Sequence, residues 1–451
     1  MKNKLPQNWI EIPFGEIILT KKGKKPEKTI TEPAVGYLPY ILIHEMEGKG
    51  IRSYTNDEKV PVVNKEDVLI VWDGSIGKCA SGLHGAIGST LVAITPLGNI
   101  PTRLIEFFIK YKNQYIHQTS TGSGLQHINK NFFKDCLISL PPLAEQQRIV
   151  AKLDGLFEHL DTLKIRLNNI PQILKNFRQA VLNQAVTGKL TEEWRGSKSV
   201  VIDSPITIGD EFQEKPKNWI WCNLIDIAKL ESGHTPRKSK EEYWINGDVP
   251  WISLQDIRAA HGTIITDTKY KPNMVGINNS SARLLPKGTV CFSRDISVGY
   301  TTIMGKEMAT TQHFANWICR EKLFNKYLLY AFISAKDFLI ASGRGTTVKT
   351  IYMPALKQFR LLLPPIEEQT EIVNSIENLF AKADKIEVQF KQLKEKIDSL
   401  PQAILAKAFK GELVAQLPTD GDAKNLLKEI AALRASLEKG KKSKKKQKVK
   451  A

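Results

Sequence analysis

Two Pro-Pro dipeptides are the first places in this 451-residue chain where residue types could carry chemistry. A DNA amino-methyltransferase holds its flipped base with Asp/Asn-Pro-Pro-aromatic, the polar group accepting from the amine while the ring stacks on the base. Here the dipeptides read Leu140-Pro141-Pro142-Leu143 and Leu363-Pro364-Pro365-Ile366, with neither acceptor nor ring. Asp267-Thr268-Lys269 has the D-x-K shape of a nuclease ending, yet no acidic partner in a Pro-Asp context precedes it. The glycine-rich stretches "GLHGAIGS" and "TGSGL" do not follow a clear strand and open a helix, as a nucleotide loop must, so both are read as turns. No G-x-x-x-x-G-K-[ST] loop occurs, which excludes an ATPase of that kind. Cys79, Cys136, Cys222, Cys291 and Cys319 are scattered with no C-x-x-C pair, and the eight histidines show no ligand spacing. The expectation is a chain with no catalytic residue, no metal site and no cofactor of its own.

Charge points to a binding role instead. The formal net charge is +18, and removing the eight lysines of the tail "KGKKSKKKQKVK" (439–450) still leaves +10 on the body. A like-charged tail with a single apolar residue is expected to be disordered. A basic body suits an anionic partner, and no amphipathic basic helix suggests a membrane, so nucleic acid comes first. Phosphates are met by lysine and arginine, base edges by Arg, Asn or Gln on exposed loops. Candidates in the first half are Lys21, Lys22, Lys24, Lys25, Gln126, Asn129 and Lys130. In the second half they are Arg237, Lys238, Lys240, Arg294, Arg344 and Lys349. The opening "MKNKLPQNWIEIPFG" lacks a signal-peptide stretch and no apolar run is long enough to span a bilayer, so a cytoplasmic location is expected.

The elements that must hold these residues come in duplicate. "LPPLAEQQRIV" from Leu140 recurs as "LPPIEEQTEIV" from Leu363, a shift of 223 residues. The alignment continues without a gap to Leu190 and Leu413, through Phe157/Phe380, Asp161/Asp384, Gln179/Gln402 and Gly188/Gly411. Apolar residues step alternately by four and three, the period of a coiled-coil seam. The first series is Leu153, Leu156, Leu160, Leu163, Leu167, Ile170, Leu174 and Phe177; the second includes Ile376, Leu379, Ile386, Phe390, Leu393, Ile397, Leu400 and Ile404. Prolines punctuate each start and a glycine each end. Pro171 and Pro401 fall inside, where either a kink or two helices end to end would satisfy the pattern, the kink being expected. Neither helix hides its stripe alone, so the two are expected to pack as an antiparallel pair.

The intervening segments echo each other more faintly. "NWIEIPFGEII" from Asn8 faces "NWIWCNLIDIA" from Asn218, and "DVLIVWDGSIGK" from Asp67 faces "GTVCFSRDISVGY" from Gly288, matching Asp73 to Asp295 and Gly77 to Gly299. "TSTGSGLQHI" faces "ASGRGTTVKTI". Both mix short strand-like runs with helical ones. The fold class is α+β: two mixed α/β recognition domains separated by two long helices packed as an antiparallel coiled coil, pseudo-twofold through internal duplication. The expected boundaries are a first head at 1–140, helical regions at 141–190 and 363–415, a linker at 191–210, a second head at 211–362, and a C-terminal helix with a basic disordered tail at 416–451.

On these phrases, together with "NNIPQILKNFRQAVLNQAVTGKLTEEWR" from Asn168, the sequence resembles the specificity (S) subunits of type I restriction–modification systems, the K-type subset in particular. "ESGHTPRKSKEEYWINGDVPWISLQDI" from Glu231 is similar to the opening of a target recognition domain; the first head has "LTKKGKKPEK" instead, so the likeness there rests on later elements. The resemblance implies a non-catalytic subunit, one per complex. Its two heads each read half of a bipartite asymmetric sequence in double-stranded DNA, and its helices set the half-site spacing. It further implies two methyltransferase (M) subunits that use S-adenosylmethionine to methylate adenine N6, and restriction (R) subunits that use ATP and magnesium. Two alternatives stay open on the residues alone: a self-contained DNA methyltransferase or nuclease, and a coiled-coil adaptor that binds only protein.

Overall fold

The computed structural model describes residues 5–209, 214–345 and 349–448. The chain divides into two compact units, 1–168 with 392–451, and 169–391.

In the first unit, Ile18–Lys22, Leu91–Pro96, Val68–Val71 and Cys79–Ser81 form a four-stranded antiparallel sheet in that spatial order. Val68–Val71 is buried on both faces, which is why it reads as an unbroken apolar run. A second sheet orders Tyr54–Thr55, Leu38–Ile41, Gly85–Ile87 and Val62–Val63. The helix Thr102–Tyr111 buries Leu104, Ile105, Phe107 and Phe108 against the first sheet's core. In the second unit the main sheet runs Ala228–Ser232, Phe314–Cys319, Val290–Ser293, Thr301–Met304 and Ile264–Ile265, the last pairing parallel. Asn325–Ser334 is the counterpart of Thr102–Tyr111.

The repeated helices are Leu143–Val186 and Ile366–Phe409, 44 residues each, and each runs through its internal proline as one helix. Each ends alike. Gly188 and Gly411 both take φ of 75°, and the amides of Lys189 and Glu412 return to the carbonyls of Gln184 and Lys407 at 2.8 Å. That six-to-one closure with a left-handed residue satisfies helix carbonyls that would otherwise lack donors.

Each unit contains part of each helix, and in both the parts are antiparallel. In the first unit Ile149 and Leu153, near the start of one helix, share a core with Leu405, Ala408 and Phe409, at the end of the other. In the second, Val181, Leu182 and Ala185 share a core with Ile372, Val373 and Ile376, and Arg178 pairs with Asp384 at 2.6 Å and Glu387 at 3.2 Å.

The seam is narrower than the heptad pattern predicts. Leu153, Leu160, Leu167, Leu174, Ile376 and Ile397 are buried, whereas Leu156, Ile170, Leu379, Phe390 and Ile404 are only partly covered. Leu163, Phe177, Ile386, Leu393 and Leu400 remain 38–47% exposed. The head cores and the partner helix cover one edge of the stripe, so mainly residues seven apart are sealed.

Within the expected linker lie the helix Glu192–Arg195 and the strand Ile206–Ile208, which pairs with Phe359–Leu363 in the second unit. The last helix runs Ala423–Lys448, so the basic tail is helical as far as it is described. Ala423, Leu426 and Ile430 anchor it in the first unit's core, lysine is a good helix former, and cations favour a helix C-terminus.

Candidate nucleic-acid interface

The duplicated phrases turn out to lock heads onto helices. Asn8 and Asn218 take φ of 65° and 69°, a left-handed turn that short amide side chains tolerate. Each presents the next residue to the helix start: Trp9 Nε1 donates to Glu145 Oε2, and Trp219 Nε1 to Glu368 Oε2, both at 2.9 Å. The next helix residue explains the Pro-Pro pair. Gln146 Nε2 donates to the Pro141 carbonyl at 2.8 Å and Gln369 Nε2 to that of Pro364 at 2.9 Å. A second pair of ties is also repeated, Arg103 to Asp154 and Lys326 to Glu377, each at 2.6 Å. The Pro-Pro elements therefore terminate strands and seat helices; they hold no base.

Asp267 is likewise an ordinary surface carboxylate, paired with Lys271 at 2.8 Å. The two glycine stretches are turn and strand: Gly85–Ile87 is a strand, and "TGSGL" begins a small hairpin. Burial pushes the Cys136 and Cys222 thiols up to about 11 and Cys79 to about 12, which leaves them protonated and unreactive at neutral pH. Among the described residues no cluster of three His, Cys, Asp or Glu could hold a metal.

The candidate interface is built where strand ends meet that hairpin. In the first unit Thr121 and His127 exchange backbone hydrogen bonds at 3.0 and 2.8 Å, closing a hairpin whose tip is 122–126. Ile128 donates to the Trp72 carbonyl at 3.0 Å, and Gly74 to that of Gln126 at 2.8 Å, so the hairpin docks on the turn after Val68–Val71. Side chains then converge on Asp73: His127 Nδ1 lies 2.6 Å from one oxygen and Lys22 Nζ 3.1 Å from the other. Burial opposes ionisation of Asp73, but the His127 and Lys22 hydrogen bonds outweigh it and hold its pKa below the usual value.

The second unit repeats this scaffold with other side chains. Arg344 and Thr350 close the equivalent hairpin at 3.0 and 2.9 Å, and Ile351 donates to the Arg294 carbonyl at 2.8 Å. Asp295 again holds a histidine at 2.6 Å, but this one is His313, from the segment before Phe314–Cys319. Gln312 joins the opening loop to this turn, since Thr235 Oγ1 donates to its Oε1 at 2.7 Å and Arg294 Nη2 to its carbonyl at 3.1 Å. A polar cleft of about 580 Å³ adjoins, lined by Arg237, Asn278, Asn279 and Ser280 among others. Amide and guanidinium groups of this sort are the side chains that read base edges.

The sequence-derived candidates separate on this frame. Lys22 contacts Asp73 in the first cluster, which Gln126 joins through its backbone carbonyl; in the second, Arg294 bonds the Gln312 carbonyl and Arg344 closes the hairpin through its backbone. Lys349 lies on the Arg344 hairpin, its Cβ 3.2 Å from where a Cβ on Gly343 would sit. Lys21 neighbours Lys22 on a strand, so its side chain leaves the opposite face. Lys24, Lys25 and Lys130 are exposed near the first cluster without bonding to it. Asn129 is used locally, accepting from the Asn131 amide at 2.9 Å. In the opening loop of the second unit Arg237 and Lys238 are exposed, while Lys240 bonds Glu242 at 3.2 Å and sits over the Tyr243 ring. Residue-type reasoning passed over Asp73 and Asp295 because carboxylates repel phosphate, and with them their partners His127, His313 and Gln312; the Asp73/Asp295 echo was the signal available.

The first head also proves to carry the opening signature thought absent from it. Gly23-Lys24-Lys25-Pro26 matches Gly233-His234-Thr235-Pro236: both prolines are buried, and a Cβ on either glycine would overlap the facing chain, Gly88 in one unit and Thr310 in the other. The glycines are fixed by that close backbone approach.

A duplicated α+β module, with paired loop clusters displayed on repeated helices, defines a class of recognition protein. Residues 6–172 and 216–397 match the family described as type I restriction modification DNA specificity domain. The chain belongs to that family. It is 30% identical to the StySPI specificity subunit of Salmonella potsdam, over 92% of this chain and 91% of that one. It is 29% identical to the EcoKI specificity subunit of Escherichia coli K12, over 96% and 97%. In fold it is similar to the HsdS subunit from Thermoanaerobacter tengcongensis, at a TM-score of 0.62 and 20% identity over 91% of this chain and 99% of that one. The chain is thus a specificity subunit of a type I restriction–modification system, recognising DNA without catalysis of its own.

Proposed function

We propose that the two hairpin-and-turn clusters are the DNA-reading surfaces, each taking one half of a bipartite asymmetric target. One observation carries this reading: both units keep the same backbone frame, an Asp turn clasped by a hairpin, while displaying different side chains on it. Around Asp73 the first unit sets Lys22 and His127, whereas the second sets His313 on Asp295 with Arg294 and Gln312 bonded to each other beside it. Two frames of one design with unlike contents suit two unlike half-sites. Both long helices are shared by the two units, so their length is the natural determinant of the spacer.

Outward apolar residues on these helices, Leu163, Leu393 and Leu400 in one unit and Phe177 and Ile386 in the other, suit docking of two methyltransferase subunits that methylate adenine N6. Those partners would supply S-adenosylmethionine, and restriction subunits would supply the ATP and magnesium chemistry. One such chain per complex follows from its holding both half-site readers. DNA as the substrate places the complex in the cytoplasm. No helix among the described residues is long and apolar enough to cross a membrane. Genome-wide adenine-methylation mapping with and without this gene tests the reading. A bipartite motif should vanish with the gene; an unchanged methylome would refute it.

A further inference from the structure

The turn at the second cluster contains a strained residue whose side chain is half exposed. Ile296 has φ of 55°, a left-handed conformation that a β-branched residue adopts only under constraint. The constraint is visible on both sides. Asp295 pairs with His313 at 2.6 Å, its carbonyl accepts from Ser293 Oγ at 3.1 Å and from the Ser297 amide, and Ser297 Oγ accepts from Arg258 Nε at 2.7 Å. Yet Ile296 itself is 50% exposed. Its counterpart in the first unit is Gly74, with φ of 92°, the residue this conformation favours. The second unit thus keeps a branched side chain, half of it facing solvent, where the backbone favours glycine.

The first unit fills the same place from elsewhere. A Cβ built on Gly74 would lie 3.6 Å from Leu125 Cδ1, and Leu125, at the hairpin tip, is 57% exposed. Among the described residues each cluster thus sets an exposed aliphatic group near its Asp–His pair, Ile296 from the turn in one unit and Leu125 from the hairpin in the other. The apolar group that projects furthest from an unmodified base edge in the major groove is the thymine C5-methyl.

We propose that Ile296 is a specificity-determining residue that packs on a thymine methyl in the half-site read by the second unit. The inference rests on the DNA-reading function above. The test uses the complex assembled with its methyltransferase subunits and a duplex bearing its mapped motif, each thymine replaced in turn by uracil, which lacks only the methyl. Wild-type affinity should fall about fourfold at one uracil, the equivalent of one methyl-sized group taken out of contact (~0.8 kcal/mol). Ile296→Gly and Ile296→Asn both suit the left-handed backbone, so the fold should persist with an unchanged or higher melting temperature. Both variants should bind thymine and uracil duplexes equally at that position. The proposal is overturned if no uracil weakens the wild type more than the variants, including the case where the variants lose affinity but uracil costs nothing. A wild-type complex without sequence preference for any duplex would instead refute the DNA-reading function itself.

Discussion

Substituting Arg195 tests how the second head is held to its helix. The guanidinium is 2% exposed and pairs with the 1% exposed carboxylate of Glu368 at 2.5 Å. It also donates to the carbonyls of Gly188 at 3.0 Å and Ser197 at 3.1 Å. Glu368 accepts in addition from Trp219 at 2.9 Å and Thr191 at 2.7 Å. Arg195→Met leaves that carboxylate buried without a cation, a loss on the order of 3–5 kcal/mol. At about 1.4 kcal/mol per tenfold, local opening should become roughly a hundred- to a few-thousand-fold more frequent. Adding Glu368→Gln removes the stranded charge while keeping an acceptor for Trp219, so the double variant should be milder than the single. The first unit provides the contrast. Glu145 accepts from Trp9 at 2.9 Å and Gln416 at 3.3 Å and has no arginine in that place, so Glu145→Gln should cost only about 1–3 kcal/mol. Hydrogen exchange resolved by mass spectrometry reads both locks at once, through peptides covering 366–376 and 143–153. If Arg195→Met accelerates exchange less than tenfold, or the double variant is no milder than the single, the argument fails.

Other consequences are open to direct measurement. Gly23→Ala forces a Cβ onto the Gly88 carbonyl and should destabilise the first head by roughly 1–3 kcal/mol, seen as a lower melting temperature; an unchanged value would contradict the close approach. If Lys22 and Arg344 meet phosphates, alanine at either should reduce the slope of log affinity against log salt by about 1 in the assembled complex. An inserted heptad in each long helix adds about 10 Å of rise and should lengthen the spacer of the methylated motif with its half-sites intact; altered half-sites would sink the ruler. The lowered pKa of Asp73 means its hydrogen bonds stabilise the fold fully above the unfolded value near 3.8 and are lost as pH falls through the folded one. A carboxyl carbon-13 titration of Asp73 should accordingly show a midpoint below 3.8, and one above it would reverse the assignment.

Much of the architecture was legible because duplication makes periodicity visible twice. The helix limits followed from Pro-Pro and Gly punctuation, and the structure adds why the Glu-Gln pair recurs: one side chain holds a tryptophan and the other a proline carbonyl. The width of the seam was not legible, since a heptad pattern gives the apolar stripe but not how much of it neighbours cover. Arg195 was hidden because a charged residue after a helix stop reads as linker until its buried partner Glu368 is known. The clusters were half-visible. Lysines and arginines announce themselves, but His127 and His313 reach matching aspartates from different segments, so no sequence alignment pairs them. Ile296 left no trace in composition; only a backbone angle distinguishes it.

The central claim, one half-site per unit, is tested most directly by mapping methylated motifs for a chain changed only at the first hairpin tip, Leu125→Ala with Gln126→Ala. Both residues are exposed, so the fold should stand. One half of the motif should become degenerate while the other half and the spacer stay as they were. Changes in both halves, or an unaltered motif, would contradict the account.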